Sequence, residues 1–235
     1  MTHLKPTRPI LWALSFALLG SMSLTLTHAE QDAETGAEAV DSEIVVARLT
    51  YDDGKSAVCF ADQFLTTYAR ETEQNVRRGY VQVALDSDDL FEYPFVVFSG
   101  QEAFELSDKE KKNLKRYIER GGFVLASAGC SNNAWARSFE AVFTELFGED
   151  QLVGLDPKHA LFHTVYDIDH IDVRRPGGRT PIQAMTTDGR VRVLYSPLGL
   201  NDTGNAGADC CCCGGSEIKN ARLINVNALG YALTR

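Results

Sequence analysis

The sequence predicts an α/β domain with a mainly parallel sheet that helices cover on both faces. Two observations support this prediction. Strand-like segments alternate with helix-like segments along most of the chain, which is the pattern of parallel strands joined by crossover helices. In addition, Phe95–Phe98 (FVVF) is continuously apolar, as expected of a strand whose two faces are both covered.

The first predicted elements are two strands with a helix between them. Glu43–Tyr51 is rich in β-branched residues and ends at an Asp-Asp-Gly turn, so it predicts a strand. Phe60–Thr72 places apolar side chains at helical spacing, which predicts a helix. Tyr80–Leu85 follows as a second short strand, and Phe95–Phe98 is the third.

The helix after Phe95–Phe98 has the clearest boundaries. Ser107 begins the sequence S-D-K-E, in which Ser107 and Glu110 have the spacing of a capping box. An apolar stripe follows, and Gly121-Gly122 is a typical C-terminal stop. The local sequence therefore predicts both ends of this helix, and Phe123–Ala126 follows as the fourth strand.

The second half of the chain has three further predicted elements. Trp135–Phe147 is amphipathic at helical spacing, Val191–Tyr195 is a late strand, and Asn220–Leu233 is a closing helix. Between Phe147 and Val191 the pattern is looser, and no other element is predicted there.

Ligands of parallel sheets bind beyond the carboxyl ends of the strands. The loops expected to carry function are therefore the ones that follow the predicted strands. They are Asp52–Cys59, Ser99–Phe104, Ser127–Asn133 and Ser196–Ser216.

The N-terminus predicts export. Lys5 and Arg8 precede an apolar run from Ile10 to about Leu26, and Thr27 and Ala29 are small residues with the spacing of a cleavage site. These are the parts of a cleavable secretory signal peptide over residues 1–29. We expect a periplasmic or extracellular protein with no membrane attachment after cleavage. Residues 30–42 read as a flexible acidic linker, and residues 43–235 as a single domain.

The charge argues against nucleic acid as a partner. The chain carries 23 Lys and Arg residues against 32 Asp and Glu residues, for a formal net charge of −9. Removing the leader makes the charge more negative, because the leader contains bases and no acids. An acidic surface without a basic face repels phosphate backbones.

A series of motifs resembles the bacterial domain of unknown function 4159 family over roughly residues 43–234. The motifs are RLTYDDG, YPFVVFSG, RYIERGGFVLAS, DPKHALFHTVYDI, VRVLYSP and NALGYAL, in that order. The resemblance implies a flavodoxin-like three-layer sandwich, similar to class I glutamine amidotransferases, with a strand-turn-helix elbow. It implies no activity, because the family has none established.

In the amidotransferase-like fold, the elbow after a central strand presents a nucleophilic cysteine, and here that position holds Cys130. A helix N-terminus next to the thiol would lower its pKa. Amides near Gly100 would stabilise an oxyanion, and His159 or His163 would be the base. The motif differs from the usual G-x-C-x-G, since A-G-C-S-N stands in its place. A structural or disulfide-bonded Cys130, or one that contacts a ligand, therefore stays an open alternative.

Further ligand-binding residues are predicted in the loops at this end of the sheet. Their side chains are small hydroxyls, amides or a carboxylate, which suit a polar ligand but also suit turns. They are Ser99, Gln101, Ser131, Asn132, Asn201 and Asp202.

Four consecutive cysteines form the second candidate site, and three interpretations stay open. The residues are Cys210, Cys211, Cys212 and Cys213. In an oxidising compartment, disulfides to Cys59 and Cys130 are favoured over bonds between neighbours, because adjacent Cα atoms are only about 3.8 Å apart. Thiolates could instead bind zinc or copper(I) with help from other ligands. A redox-active cluster is the third interpretation.

The sequence thus predicts an exported binding or accessory domain that recognises a small molecule, glycan or protein at the carboxyl end of its sheet. The first alternative is a cysteine-nucleophile hydrolase or amidase that uses Cys130. The second is a metal-binding or redox protein centred on the four-cysteine run. The sequence establishes no cofactor.

Overall fold

The computed structural model describes residues 42–56, 59–174, 179–202 and 218–234. In these residues seven strands form one sheet, with the order β2-β1-β3-β4-β7-β6-β5. The strands are β1 Ala47–Thr50, β2 Val81–Ala84, β3 Phe95–Gly100, β4 Phe123–Ala128, β5 Val153–Gly154, β6 Gln183–Thr187 and β7 Arg190–Ser196. Strands β2, β1, β3, β4 and β7 pair in parallel, whereas β6 is antiparallel to both of its neighbours.

Within the described ranges, four helices cover the sheet, two on each face. They are α1 Gln63–Thr72, α2 Asp108–Glu119, α3 Asn133–Phe147 and α4 Ala221–Thr234. Apolar side chains of α1 and α4 pack in one core cluster, and those of α2 and α3 pack in the other. The predicted α/β class with a mainly parallel sheet is confirmed, and the architecture is that of a flavodoxin-like sandwich.

Alternation along the central strands explains the two cores. In β3, Phe95 and Val97 belong to the cluster under α1 and α4, whereas Val96 and Phe98 belong to the cluster under α2 and α3. All four are fully buried. Successive side chains of a strand point to opposite faces, so a strand covered on both faces must be apolar at every position.

The strand order creates a switch point between β1 and β3. These strands are neighbours, but the helix that follows β1 lies on one face of the sheet and the helix that follows β3 lies on the other. At such a point the connections diverge and leave a crevice outside the carboxyl ends of the strands, where open α/β sheets bind ligands.

Several predicted boundaries differ from the observed ones. The first helix begins at Gln63 rather than at Phe60, and the first strand is limited to Ala47–Thr50, with an isolated bridge from Ile44 to Val76 before it. Strands β5 and β6 were not predicted. Strand β6 forms an antiparallel hairpin with β7, and β5 is only two residues long.

The capping box predicted for α2 is present. The Ser107 hydroxyl accepts a hydrogen bond from the Glu110 amide, and the Glu110 carboxylate accepts one from the Ser107 amide. The other oxygen of that carboxylate accepts from the Asp52 amide at 2.9 Å. Glu110 therefore joins the start of α2 to the turn after β1.

None of the helices in the described ranges is both long enough and apolar enough to span a membrane. The predicted signal peptide and nearly all of the linker precede residue 42, so those predictions lie outside the described residues. The four-cysteine run, which lies between residues 202 and 218, also falls outside them.

Candidate functional site

Strained backbone concentrates at the carboxyl end of the sheet. In the described residues, positive φ angles at residues other than glycine occur after β1 at Asp52 and Asp53, after β4 at Cys130 and Ser131, and after β7 at Asp202. Three others lie elsewhere, at Glu73, Asp150 and Asp188. The left-handed region is disfavoured for side chains with a Cβ, and such strain is often found where a fold presents a functional site.

The turn after β1 is left-handed throughout. Asp52, Asp53 and Gly54 have φ angles of 45°, 59° and 97°. The backbone closes because the Lys55 amide donates to the Tyr51 carbonyl at 2.7 Å and the Tyr51 amide donates to the Lys55 carbonyl at 3.1 Å. The sequence Asp-Asp-Gly suits this conformation, since Asp and Gly enter the left-handed region more readily than other residues.

A lysine ties this turn to the loop after β3. Lys55 Nζ donates to the Asp52 carboxylate at 2.6 Å and to the Ala103 carbonyl at 3.1 Å. The hydrogen bond from Lys55 lowers the pKa of Asp52, and the same bond raises the pKa of Lys55. The Lys55 side chain therefore holds the turn to the loop after β3, in addition to the hydrogen bonds within the turn's own backbone.

Tyr51 locks the ends of β1 and β3 to α3. Its hydroxyl accepts a hydrogen bond from the Trp135 indole at 2.7 Å and donates to the Ser99 carbonyl at 3.0 Å. Burial raises the pKa of Tyr51 well above its usual value, and the Trp135 bond opposes that effect. The phenol thus stays neutral and keeps its donor. A Cβ on Gly100 would lie 2.1 Å from this hydroxyl, so only glycine fits there.

Cys130 stands at an elbow between β4 and α3, as the family resemblance implied. Its φ and ψ are 52° and 33°, and its half-buried thiol is not in a disulfide. The Gln101 amide nitrogen lies 3.7 Å from the sulfur. Asn132 caps α3 by accepting from the amides of Ala134 and Trp135. The elbow is thus followed directly by a helix N-terminus.

Gly129 allows the elbow to lie close to the loop after β3. A Cβ at this position would be 2.7 Å from the Gly100 carbonyl oxygen and 2.8 Å from the Gln101 side chain. Gly129 and Gly100 therefore bring Gln101 and Cys130 together. Of the predicted site residues, Ser99, Gly100, Gln101, Cys130, Ser131 and Asn132 gather at this place.

Several of the predicted ligand-binding side chains are used inside the protein. Ser99 and Asn201 are fully buried; the Ser99 hydroxyl donates to the Ser127 carbonyl, and the Asn201 side chain accepts from the Ser127 hydroxyl at 2.9 Å. Asp202 pairs with Arg222 at the start of α4 at 2.7 Å. The Ser131 hydroxyl donates to the Leu198 carbonyl. These contacts hold the loop after β7 against the end of β4.

Two cavities flank the turn after β1 and share Tyr51 and Gly54 in their walls. One has a volume of about 250 Å³ and lies between the ends of β1 and β3. Its lining residues are Tyr51, Gly54, Lys55, Ser56, Gly100, Gln101 and Glu102. The other, about 330 Å³, lies toward β2 and α2 and is lined by carboxylates that include Asp53, Asp86 and Glu105.

One residue that lines the smaller cavity carries an unsatisfied polar atom. The Ser56 hydroxyl oxygen is buried and has no hydrogen-bond partner within the described part of the chain. A buried polar atom without a partner is unfavourable by about 1–3 kcal/mol, so such atoms are usually met by water or by a ligand. We call this space, with the seven lining residues named above, the switch-point cavity.

The predicted histidine bases lie away from Cys130. The His159 ring packs 5.8 Å from the ring of Tyr231, whose hydroxyl accepts from the Val191 amide near the beginning of β7. Cys130 follows the end of β4, which is parallel to β7. A strand advances about 3.3 Å per residue, so most of the length of the sheet separates the two side chains.

His163 ends the 3-10 turn Ala160–His163, which begins directly after His159, so it too lies away from the elbow. Its two ring nitrogens lie 3.1 Å from the Asp167 carboxylate and 3.0 Å from the Pro157 carbonyl. The structure therefore groups the predicted nucleophile with the predicted oxyanion loop but does not bring either histidine to them.

The described residues offer no metal centre. No group of three or more His, Cys, Asp or Glu side chains in the described ranges could hold a metal ion. Cys59 is 2% exposed and lies between β1 and α1 in the sequence. The disulfide, metal and redox interpretations of the four-cysteine run stay predictions.

Sequence reasoning missed the residues that build the cavity wall. The sequence predicts Tyr51 only as part of a strand and predicts no role for Lys55 or Ser56. It predicts Trp135, whose indole donates to Tyr51, only as part of a helix. The sequence feature that points to this site is the Asp-Asp-Gly turn after a strand, because it places the loop 52–59 at the carboxyl end of the sheet. It does not show which side chains line the cavity.

Comparison with protein-family models finds one match, over residues 45–233, to a family described as a domain of unknown function (DUF4159). The match covers most of the chain and, in the described residues, every strand and helix apart from Thr234 at the end of α4. A search of curated proteins finds no match.

Proposed function

Because the chain belongs to the DUF4159 family, whose description names no activity, we propose a function from the site itself: the protein binds a small polar ligand in the switch-point cavity. The observation that supports it most is the position of the cavity, between the ends of β1 and β3 where the connections diverge. Ligand sites of doubly wound sheets occupy this crevice.

The lining favours a neutral ligand with hydroxyl or amide groups. The Lys55 ammonium is already paired with Asp52, and Glu102 is the other charged lining residue. The Ser56 hydroxyl and the Gln101 amide are neutral polar side-chain groups of the lining. Gly54 has open space where a Cβ would lie, so a ligand can approach its backbone closely. A single sugar residue of a glycan, or a small molecule of that kind, has the matching chemistry.

The volume limits the size of the ligand. Drug-sized ligands occupy pockets of about 300–1,000 Å³, and the switch-point cavity, at about 250 Å³, is slightly below that range. It suits one small molecule or the end group of a longer glycan, with the remainder outside. Large partners would contact only the rim.

A titration followed by amide NMR tests this proposal. The probes are glucose, N-acetylglucosamine, glycerol and acetamide, each added to the mature protein. We expect at least one of them to shift the amide signals of Gly54, Ser56, Gly100 and Gln101 as a group. Absence of shifts with all four, or shifts confined to another surface, would contradict the proposal.

Variants separate the cavity from general effects on the fold. Gln101→Ala and Ser56→Ala should each weaken binding of the active probe, because each removes a polar group from the wall. Gln82→Ala is the matched control, since Gln82 is an exposed amide on the edge strand β2. Equal binding by all three variants would show that the ligand is held elsewhere.

The protein's place of action is part of the same proposal. The predicted leader supports export to the periplasm or the exterior, and no membrane attachment would remain once residues 1–29 are removed. The oxidising compartment that this implies would favour disulfides for the cysteines near the site. Cys59, which is 2% exposed, would be one of the cysteines that pair.

A second candidate is catalysis by Cys130 in an amidotransferase-like arrangement. The observation that favours it is the left-handed elbow that places the thiol before the N-terminus of α3 and near Gln101. An adjacent base is one way to activate a thiol, and neither histidine is placed to be one, so activation would depend on the N-terminus of α3. The rate of Cys130 alkylation by iodoacetamide tests this candidate. A rate at neutral pH close to that of a small-molecule thiol would contradict an activated nucleophile at Cys130.

A further inference from the structure

A long irregular segment, residues 156–173, lies along α4 and is held to it by two asparagines. The Asn227 side chain accepts from the amides of Val165 and Tyr166 at 3.1 and 2.8 Å and donates to the Tyr166 carbonyl at 2.8 Å. Near the other end of α4, Asn220 accepts from the Asp172 amide at 3.0 Å. We call residues 156–173 the strap.

His163 joins the two ends of the first loop of the strap. Its Nδ1 is 3.1 Å from the carboxylate of Asp167, and its Nε2 is 3.0 Å from the carbonyl oxygen of Pro157. Both partners can only accept hydrogen bonds at these atoms. A neutral imidazole has one N–H, whereas the imidazolium has two, so only the charged form makes both bonds.

We propose that His163 is a pH-sensitive clasp that holds the strap closed when it is protonated and loosens it when the proton leaves. The clasp lies at the opposite end of the sheet from the switch-point cavity, and it does not depend on the proposed ligand. Loss of the proton leaves one of the two acceptors without a donor, and a free N lone pair then faces an oxygen.

The charges around His163 favour the protonated state. Asp167 is its direct partner, and Asp169 adds a weaker attraction from the same strap. On α4, which packs beneath, the charged residue is Arg222 at the other end, paired with Asp202. On α1, Arg70 and Glu71 pair with each other beside Tyr166. The titratable neighbours on the same 3-10 turn and on α4 are His159 and Tyr231.

The direction of the pH effect follows from these contacts. The bond to Asp167 contributes most, and the bond to the Pro157 carbonyl adds to it; together they raise the pKa of His163 above its ordinary value. A group with a raised folded pKa contributes its full stabilisation below the unfolded value, about 6.5. That stabilisation is lost as the pH rises through the folded value.

A histidine NMR titration of the full mature protein tests the clasp. We expect the His163 ring signals to titrate with a midpoint above about 6.5. In Asp167→Asn the midpoint should shift downward, because the carboxylate is replaced by a neutral amide of the same shape. A midpoint at or below the ordinary value in the unmodified protein would overturn the proposal.

Hydrogen exchange shows whether protonation holds the strap. After correction for intrinsic exchange, protection of amides in residues 156–173 should fall between about pH 5.5 and about pH 8.5. His163→Gln should abolish that fall. His170→Gln is the matched control, since His170 is an exposed histidine of the same strap, and it should retain the fall. Retention of the full pH dependence in His163→Gln would contradict a clasp at this residue.

Discussion

Gly100 and Gly129 set the distance between the loops at the carboxyl end of the sheet. Gly100 leaves room for the Tyr51 hydroxyl and the Trp135 indole, and Gly129 leaves room for the Gly100 carbonyl. Neither glycine has a φ in the left-handed region, so the requirement is steric. These two close contacts place Gln101 beside Cys130 and form one wall of the switch-point cavity.

A double-mutant cycle at Gly100 and Tyr51 tests this steric argument. In Gly100→Ala the new Cβ would overlap the Tyr51 hydroxyl, and overpacking of this kind typically lowers the free energy of unfolding by about 1–3 kcal/mol. In the Tyr51→Phe background the hydroxyl is absent, so the same substitution should be less destabilising. Urea unfolding of the four proteins measures the coupling.

The coupling should be at least about 0.5 kcal/mol, the lower limit for residues in contact. Tyr51→Phe alone should also be destabilising, because it leaves the buried Trp135 indole without its acceptor. Strict additivity of the two substitutions would contradict the close contact.

At the scale of elements, α2 and the turn after β1 form one unit. Glu110, which is 8% exposed, closes the capping box with one carboxylate oxygen and accepts from the Asp52 amide with the other. The helix N-terminus therefore fixes the turn, and the turn forms the partition between the two cavities.

Cap variants test this connection. Ser107→Ala should lower the free energy of unfolding by about 1 kcal/mol, the usual effect of removing an N-cap side chain. Glu110→Ala should be more destabilising than Ser107→Ala, because it also leaves the Asp52 amide without an acceptor. Lys112→Ala, at an exposed position of the same helix, is the control. If Glu110→Ala is no more destabilising than Lys112→Ala, the proposed connection between α2 and the turn after β1 is contradicted.

The local sequence was sufficient to predict α2 but not β5 or the elbow. Ser107, Glu110 and the two glycines at 121 and 122 mark the ends of α2 within a single short segment. Strand β5 has two residues and is defined by its antiparallel pairing with β6, which is distant in sequence. The left-handed conformation of Cys130 depends on packing between Gly129 and the β3 loop, which no local pattern specifies.

Across the whole molecule, the order of the strands determines which of the predicted site residues lie close together. The loops after β1, β3, β4 and β7 all reach the carboxyl end, so the residues predicted from them gather there. His159 and His163 come from the connection between α3 and β6, whose course over α4 could not be deduced from periodicity. The family resemblance implies an elbow at Cys130, but it does not give the position of a base.

Mass spectrometry of the exported protein tests the arrangement at this scale. Without reduction, we expect the chain to begin at Glu30, Cys130 to be alkylated by iodoacetamide, and Cys59 to be protected in a disulfide. Reduction before alkylation should add label at Cys59. An unreduced protein that carries label on Cys59, or a chain that retains residues 1–29, would contradict the export and disulfide predictions.

The most direct test of the binding proposal is a crystallographic screen of the mature protein with small hydroxyl- and amide-bearing fragments. We predict that bound fragments concentrate in the switch-point cavity, with polar contacts to Ser56 and Gln101. Fragments that bind only at other surfaces, with water alone between the ends of β1 and β3, would contradict the central claim.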